Sequence, residues 1–174
     1  EILEQLPEVD QVVCPIGGGG LISGIALAIK SLKPSCKVIG VQAATVPSMY
    51  ESCKAGKITT VPDGETLADG IHVLTPGNMT FEMCQKYVDE IVTVTEDEIA
   101  AAILALVEGQ KTVAEGAGAT PVAACMFGNV DTSDKKTVCV VSGGNVDVTT
   151  LSRIITKGLT KSGRIAEITT KVAD

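Results

Sequence analysis

Two glycine-rich loops carry the residue types best suited to chemistry in this 174-residue chain. The first, Gly17–Gly20, follows an apolar run of strand length and precedes a helix-like segment that begins at Leu21. Its backbone N–H groups can face one concavity, and the positive end of the helix adds to them, so phosphate is the natural ligand. The second loop, Ser142–Asn145, follows another strand-like run and offers a hydroxyl that can donate to a ring nitrogen or a carbonyl.

A nucleotide-binding motif is the main alternative for the first loop, and the sequence departs from both common forms. No lysine follows the glycines, so the Gly-Lys-Ser/Thr ending of the Walker motif is absent. In the dinucleotide-binding pattern G-x-G-x-x-G, the position of the third glycine is occupied by Ile22 or Ser23. Gln42 occupies the position after the second strand where that pattern has an acidic residue. A tight turn without a ligand also accounts for four glycines, so that alternative stays open.

Ser142 could also be a hydrolase nucleophile, but its surroundings do not favour this. The G-x-S-x-G elbow is absent, and the only histidine that could act as a base is His72. We expect His72 to be structural or at the surface, and Asp69 to bond locally in a turn. Glu115 could approach a ligand, and a solvated loop position or a helix-end contact suits it equally well.

The elements that must position these loops follow an α/β order. An apolar run from Val9 to Ile16, the glycine turn, a helix over 21–29 and a second apolar run over 37–42 predict a βαβ unit with parallel strands. Residues 137–141 predict a further buried strand that ends at Ser142. Ligands bind beyond the carboxyl ends of such strands, so we expect the two loops to face one pocket.

Turn and capping signals organise the rest of the chain. Thr95 and Glu98 have the spacing of a capping box, and Glu115–Ala119 is expected to break the pattern before a helix opened by Pro121. The predicted fold class is a three-layer α/β/α domain with a mostly parallel sheet. Beyond the elements above, we expect a strand over 90–94, an irregular stretch over 62–74, and helices over 47–55, 78–88, 96–108, 121–127 and 147–157.

Composition argues against several classes of function. The net charge is −7 and no basic cluster is longer than Lys135–Lys136, so a nucleic-acid partner is not expected. No apolar run approaches the roughly 20 residues of a membrane span. The six cysteines form no C-x-x-C pair and His72 has no neighbour at ligand spacing, so we expect reduced core cysteines, no metal and a cytoplasmic location.

Both ends of the chain suggest a piece of a longer protein. The sequence opens with Glu1 rather than Met, and residues 2–6 are apolar at helical spacing without a cap. Residues 165–172 have a partly alternating β-branched pattern, which is typical of the first strand of a further domain. We therefore expect residues 1–160 to be part of one domain and residues 161–174 to be a linker with the start of another.

Five motifs follow one another along the chain: Pro15–Gly24, Ala68–Gly70, Val94–Glu98, Glu115–Ala119 and Ser142–Asp147. In this order they resemble the pyridoxal-phosphate-dependent threonine dehydratases and serine racemases of fold type II. Any one motif is weak, whereas the ordered set is highly specific. The resemblance covers nearly the whole chain and is strongest to the carboxyl-terminal half of the catalytic region of a threonine dehydratase (threonine ammonia-lyase).

This resemblance implies a cofactor site and a reaction. In the family the glycine loop binds the phosphate of pyridoxal 5'-phosphate, and the serine of the second loop bonds the pyridine nitrogen. A neutral hydroxyl there makes the ring a weaker electron sink than a carboxylate would, which favours prompt elimination. The implied reaction removes the α-proton and β-hydroxyl of threonine or serine, giving 2-oxobutanoate or pyruvate and ammonia. The implied cofactor-binding residues are Gly17, Gly18, Gly19, Gly20, Leu21 and Ser142.

The resemblance also implies what these residues lack. The family's Schiff-base lysine lies in an upstream Ser-x-Lys-x-Arg-type motif, and Lys161–Arg164 has the wrong order for it, so no catalytic residue is assigned and the chain alone is expected to be inactive. Mammalian-type serine racemases place metal-binding carboxylates where this sequence has Gln42, Val46 and Ser48. A dehydratase is therefore favoured over a racemase.

Several alternatives stay open. A non-catalytic phosphate- or nucleotide-binding α/β module would use the same loop, and another fold-type II enzyme, such as a serine racemase or a relative of the cysteine and threonine synthases, would use the same cofactor. The family suggests a homo-oligomer, either a dimer or a tetramer, with a small amino-acid substrate. Some dehydratases carry a regulatory ACT domain, which would begin within residues 161–174.

Overall fold

Four parallel strands form the centre of the structure, a computed structural model that describes residues 1–161, 163–166, 168 and 170. The strands are β1 (Gln11–Pro15), β2 (Lys37–Ala43), β3 (Glu90–Val94) and β4 (Thr137–Cys139). The α-helices are α1 (Ile2–Gln5), α2 (Gly20–Leu32), α3 (Ser48–Ala55), α4 (Asn78–Tyr87), α5 (Glu96–Ala105), α6 (Gly116–Met126) and α7 (Val148–Lys161).

The strand order is β3-β2-β1-β4, so the chain changes direction across the sheet at β1. From β1 it moves outward to β2 and β3, and it then returns to place β4 on the other side of β1. Val12 pairs with Val38 of β2 and with Val138 of β4. The segments that follow β1 and β4 therefore leave the sheet at its topological switch point, the usual ligand crevice of such sheets.

Helices cover both faces of the sheet, which confirms the predicted three-layer α/β/α fold class. The alternating side chains of β1 belong to different cores: Val13 packs with Ile99 and Ile103 of α5, whereas Val12 packs with Ile22 and other residues of α2 and α4. All five residues of β1 are buried, as expected for a central parallel strand. A Cβ at Gly40 of β2 would overlap the Ile16 side chain, so this glycine allows close packing.

The glycine-rich segment before Pro121 is helical, so the prediction that Glu115–Ala119 interrupts the pattern before the helix is wrong. Helix α6 begins at Gly116 and contains Pro121. Proline lacks the N–H that would bond the Ala117 carbonyl, and the Thr120 hydroxyl donates to that carbonyl instead, at 2.9 Å. A Cβ at Gly116 would overlap the Leu67 carbonyl oxygen, so close packing of the helix explains this glycine.

Three other element boundaries differ from the predictions. The helix expected over 96–108 is α-helical only to Ala105 and then forms a π-helical turn over Leu106–Gln110. Strand β4 has three residues, and all are half-buried rather than buried because β1 is its one neighbouring strand among the described residues. Helix α7 extends to Lys161 rather than ending near residue 157.

The predicted strand over 165–172 lies partly outside the described residues. Residues 165, 166, 168 and 170 belong to neither a helix nor a strand, and residues 167, 169, 171 and 172 are not described. The division into residues 1–160 and 161–174 therefore stays a prediction. In the part of the chain that the structure describes, every helix is too short or too polar to cross a bilayer.

Candidate cofactor site

The glycine loop after β1 is shaped by close contacts with two other segments. Gly19 caps helix α2 with a φ of 90°, a left-handed conformation that side-chain-bearing residues rarely adopt. A Cβ at Gly19 would lie 2.8 Å from Met49 Cε and 2.9 Å from Thr80 Cβ. A Cβ at Gly17 would lie 3.0 Å from Ile71 Cα. These two glycines therefore face protein on the side where a side chain would project.

The other two glycines of the loop border open space. Gly18 and Gly20 are exposed, and a Cβ at either would meet no atom within 4 Å. The amides of Gly20, Leu21 and Ile22 lie in the first turn of α2, where backbone N–H groups have no carbonyl partner within the helix. Free N–H groups and the positive end of a 13-residue helix make this loop suitable for an anion.

Ser142 reaches the same place from β4. A cavity of about 200 Å³ is lined by the glycine loop, the Leu21 position and Ser142, together with Gly70, Ile71, Glu115 and Ala117. The structure thus brings together all six residues that the sequence analysis assigned to the cofactor. They come from opposite ends of the chain and meet because β1 and β4 are adjacent.

Glu115 holds the Ser142 loop on two sides. Its backbone N–H donates to the Gly143 carbonyl at 3.1 Å, and its Oε2 accepts from the Asn145 N–H at 3.2 Å. A Cβ at Gly143 would overlap the Glu115 carboxylate, and a Cβ at Gly118 would lie 2.8 Å from the Gly143 oxygen. From the sequence alone the role of Glu115 stays open, and its place in a glycine-rich segment is the available signal.

The segment over 69–71 covers the opposite wall of the cavity. It forms a single 3-10 turn, in which the Asp69 carbonyl accepts from the His72 N–H at 3.0 Å. The prediction that Asp69 lies in a turn is therefore confirmed, with its backbone carbonyl making the local bond. A Cβ at Gly70 would lie 3.2 Å from Ala117 Cβ and 3.3 Å from Glu115 Oε1, so this turn packs tightly on the start of α6.

His72 pairs with a residue that the sequence analysis did not find. Its Nε2 is 2.9 Å from Asp63 Oδ1, and its side chain is partly exposed. This structural pairing agrees with the expectation for His72. Because the imidazole contacts Asp63 and does not line the cavity around Ser142, the arrangement of a hydrolase nucleophile and base is not formed.

A second cavity of about 470 Å³ adjoins the first and shares Gly70, Glu115 and Ala117 with it. Its remaining wall combines hydroxyl, carboxylate and guanidinium groups from three segments. Such a wall can hold a small polar molecule beside whatever occupies the glycine loop. The polar side chains along it are Thr66, Asp69, Asn145, Asp147, Thr150 and Arg153.

Gln42, one of the positions where the resemblance to serine racemases implies a carboxylate, has a structural role in this chain. Its buried amide donates to the Ile16 carbonyl at 3.2 Å and accepts from the Tyr50 N–H at 2.8 Å. It thereby fixes the residue immediately before the glycine loop. Among the described residues no group of three or more His, Cys, Asp or Glu side chains is arranged to hold a metal ion.

The cysteines are all free thiols, as expected for a chain without a disulfide framework, but Cys53, Cys125 and Cys139 are half-buried, so the expectation of core positions is wrong for these three. Burial raises the pKa of Cys14 to about 12 and that of Cys84 to about 11, so both are inert core residues at neutral pH. One contact was not expected from the sequence: the Sγ atoms of Cys125 and Cys139 are 3.5 Å apart.

Fold and site together define a ligand-binding α/β protein with a phosphate-type glycine loop at the switch point of a parallel sheet. The chain belongs to the pyridoxal-phosphate dependent enzyme family, whose model matches residues 1–144. The resemblance to this family is therefore confirmed, and pyridoxal phosphate is the cofactor of the family.

Three similar proteins illustrate this relationship. An L-threonine ammonia-lyase from Thermotoga maritima is 56% identical over 174 residues, which is 100% of this chain and 43% of that protein. The processed form of threonine deaminase isoform 2 from Solanum lycopersicum superposes with a TM-score of 0.83 at 33% identity, over 90% of this chain and 46% of that one. Maize serine racemase superposes with a TM-score of 0.79 at 35% identity, over 93% of this chain and 50% of that one. The chain thus spans about half the length of these relatives, or less.

The residues present fit the cofactor. The loop at Gly17–Gly20 leaves open space beside exposed glycines and the free first-turn amides of α2, which is the donor set that a phosphate ester needs. The hydroxyl of Ser142, at the wall of the same cavity, suits a ring nitrogen.

Proposed function

We propose that the protein containing this chain is an ammonia-lyase that acts on L-threonine or L-serine with pyridoxal phosphate. The observation that carries the proposal is the meeting of the glycine loop and Ser142 in one cavity. The name of the Thermotoga maritima relative, at 56% identity, supports threonine as the substrate. The products would be 2-oxobutanoate from threonine, or pyruvate from serine, and ammonia.

In this proposal six residues of the chain hold the cofactor. The amides of the glycine loop and of Leu21 bind the phosphate, with the α2 dipole adding to them. Ser142 donates or accepts one hydrogen bond at the pyridine nitrogen and leaves that nitrogen without a full counter-charge. Glu115 keeps Ser142 in place through its bonds to Gly143 and Asn145. The cofactor-binding set is Gly17, Gly18, Gly19, Gly20, Leu21 and Ser142.

Bound pyridoxal phosphate supplies an electron sink that stabilises negative charge at the α-carbon of an amino acid. The neutral Ser142 hydroxyl limits how strongly that charge is held, and early loss of the β-hydroxyl follows from this. The tight packing of Gly70 on Ala117 closes one wall of the cavity against water. The proton transfers at the substrate need a lysine that these residues do not supply, so the chain alone is proposed to be inactive.

Two further properties belong to the same proposal. The protein would work in the cytoplasm, because its cysteines are free and its substrate is a metabolite. It would assemble as a dimer or tetramer. The exposed apolar side chains of Leu27 and Leu32 on α2 are suited to burial against other protein.

Cofactor binding can be tested on the chain itself with two variants at one position. Gly18 has room for a side chain, so Gly18→Asp and Gly18→Asn should both fold. The carboxylate repels a phosphate and the amide does not. We expect the unmodified chain and Gly18→Asn to retain pyridoxal phosphate through gel filtration, and Gly18→Asp to bind at least about tenfold more weakly. Equal retention by all three proteins would contradict a phosphate site at this loop.

Activity is tested on the longest natural protein that contains this chain. Incubation with L-threonine or L-serine should release a 2-oxo acid and ammonia in equal amounts, measured by coupled NADH oxidation and an ammonia assay. Formation of D-serine without ammonia would instead indicate a racemase, which the likeness to maize serine racemase makes the second candidate. Binding of pyridoxal phosphate with neither reaction would indicate another member of the family.

A further inference from the structure

Cys125 and Cys139 lie side by side behind the Ser142 loop, and neither lines the cofactor cavity. Cys125 is the penultimate residue of α6, and Cys139 is the last residue of β4. Their Sγ atoms are 3.5 Å apart, which is close contact between two sulfur atoms. Both residues are half-buried, whereas Cys14, Cys36 and Cys84 are buried.

We propose that Cys125 and Cys139 form a peroxide-sensitive modification site that closes to an intramolecular disulfide. A disulfide requires an S–S distance of about 2.0 Å, so the two sulfur atoms must approach by roughly 1.5 Å. Disulfide formation requires that rotation of the two side chains, at the last turn of α6 and the end of β4, supplies this movement.

The hydrogen bonding of the pair gives the two thiols different roles. Either thiol can donate to the other. When Cys125 is the thiolate, the Cys139 thiol donates to it, which lowers the pKa of Cys125 and raises that of Cys139. Burial raises the pKa of each of the other four cysteines, Cys14, Cys36, Cys53 and Cys84. Cys125 is therefore the one cysteine of the six that carries more thiolate than an ordinary thiol, and it has a second thiol in contact with it.

The oxidant is hydrogen peroxide, and the reaction balances in two steps. The Cys125 thiolate attacks one peroxide oxygen; the O–O bond breaks, Cys125 becomes a sulfenic acid and hydroxide leaves, taking up a proton to form water. The thiolate charge that kept Cys139 protonated has then gone. Cys139 loses its proton and attacks the Cys125 sulfur, forming the S–S bond and releasing the second oxygen as water. Two thiols are oxidised and one peroxide is reduced to two waters.

The test treats the purified chain with increasing hydrogen peroxide at neutral pH, blocks the remaining thiols and maps the disulfides by mass spectrometry without reduction. We expect one cross-linked peptide, between Cys125 and Cys139, at lower peroxide than any change at the other four cysteines. Dithiothreitol should reverse it. The variant Cys53→Ser, matched as a half-buried cysteine outside the pair, should keep the cross-link.

Two variants separate the roles of the pair. In Cys139→Ser the sulfenic acid at Cys125 should persist and be trapped by dimedone, whereas Cys125→Ser should give no trapped product at Cys139. A first product at any other cysteine, a cross-link between two chains, or irreversible oxidation of Cys125 without a cross-link would overturn the proposal. If either variant fails to fold, as judged by circular dichroism, the order of oxidation in the unmodified chain decides the outcome.

Discussion

The Oε2 atom of Glu115 accepts a hydrogen bond from the backbone N–H of Asn145 at 3.2 Å, three residues beyond Ser142. The backbone N–H of Glu115 donates to the Gly143 carbonyl at 3.1 Å. The loop that presents Ser142 is thus tied on both sides to a residue at the start of α6. A carboxylate here fixes the loop that carries Ser142, and Glu115 also lines the cavity proposed for the cofactor.

This relationship predicts the effect of changing Glu115. Glu115→Ala removes the acceptor for the Asn145 N–H and should weaken binding of pyridoxal phosphate about tenfold, since a hydrogen bond to a charged group contributes roughly 1.5–3 kcal/mol. Glu115→Gln has a side chain of the same length and keeps an acceptor oxygen, so its affinity for pyridoxal phosphate should lie within about threefold of that of the unmodified chain. Fluorescence titration with the cofactor measures both. Equal losses of cofactor affinity in the two variants would show that the negative charge of Glu115, and not its hydrogen bond to the loop, determines the affinity.

The glycine loop offers a matched pair for stability. Gly19→Ala forces a side chain into a left-handed conformation at φ 90° and against Thr80, so we expect a loss of about 2 kcal/mol in the free energy of unfolding. Gly18→Ala meets no atom within 4 Å and should change stability by less than about 0.5 kcal/mol. Urea unfolding followed by circular dichroism compares them. Similar stability of both variants would mean that the loop relaxes around Gly19.

The capping box of α5 makes a prediction outside the site. The Thr95 hydroxyl accepts from the Glu98 N–H at 3.3 Å, and the Glu98 carboxylate accepts from the Thr95 N–H at 2.6 Å. Thr95→Ala should therefore lower the free energy of unfolding by about 1 kcal/mol, while Thr95→Ser keeps the hydroxyl and most of the stability. Thermal and urea unfolding provide the comparison. A Thr95→Ala variant as stable as Thr95→Ser would contradict the contribution of the cap.

The thiols should differ in their pH dependence toward an alkylating reagent. Alkylation requires the thiolate, whose fraction grows as the pH approaches the pKa. The pKa of Cys125 is lowered by the hydrogen bond from Cys139, so iodoacetamide should label Cys125 at a lower pH than it labels Cys53, whose pKa burial raises. Cys14, with a pKa of about 12, should stay unlabelled in the folded chain. Peptide mapping across pH 6 to 9 checks the order. Labelling of Cys53 before Cys125 would contradict it.

Residues with local signals were predicted well from the sequence. The strand before Gly17, the helix after Gly20 and the Thr95 cap follow from hydrophobic runs, glycines and one short motif, all of which act within a few residues. The six residues proposed to bind the cofactor also followed from local patterns and the family resemblance. Their meeting in one cavity confirms the expected pocket, and their contacts with the cofactor stay a prediction.

The features that the sequence did not predict depend on contacts between distant segments. Gly116 and Gly118 have poor helix propensity, and α6 includes them because two other backbones, at Leu67 and Gly143, approach too closely for any side chain. The bond between His72 and Asp63 and the contact between Cys125 and Cys139 likewise depend on how loops and elements pack. No spacing rule within one segment reveals such pairs.

The position of β4 has a consequence for the order of folding. Gln11 of β1 pairs with Thr137 of β4, and their side chains are hydrogen bonded at 2.9 Å across a sequence separation of 126 residues. Closing so long a loop is among the slow steps of assembling a sheet, whereas β1, α2 and β2 can form from neighbouring residues. The glycine loop is therefore expected to form before Ser142 lies beside it. On the proposal that Ser142 bonds the pyridine nitrogen, binding of the cofactor ring would report that β4 has paired with β1, and a chain without that pairing would offer only the phosphate contacts.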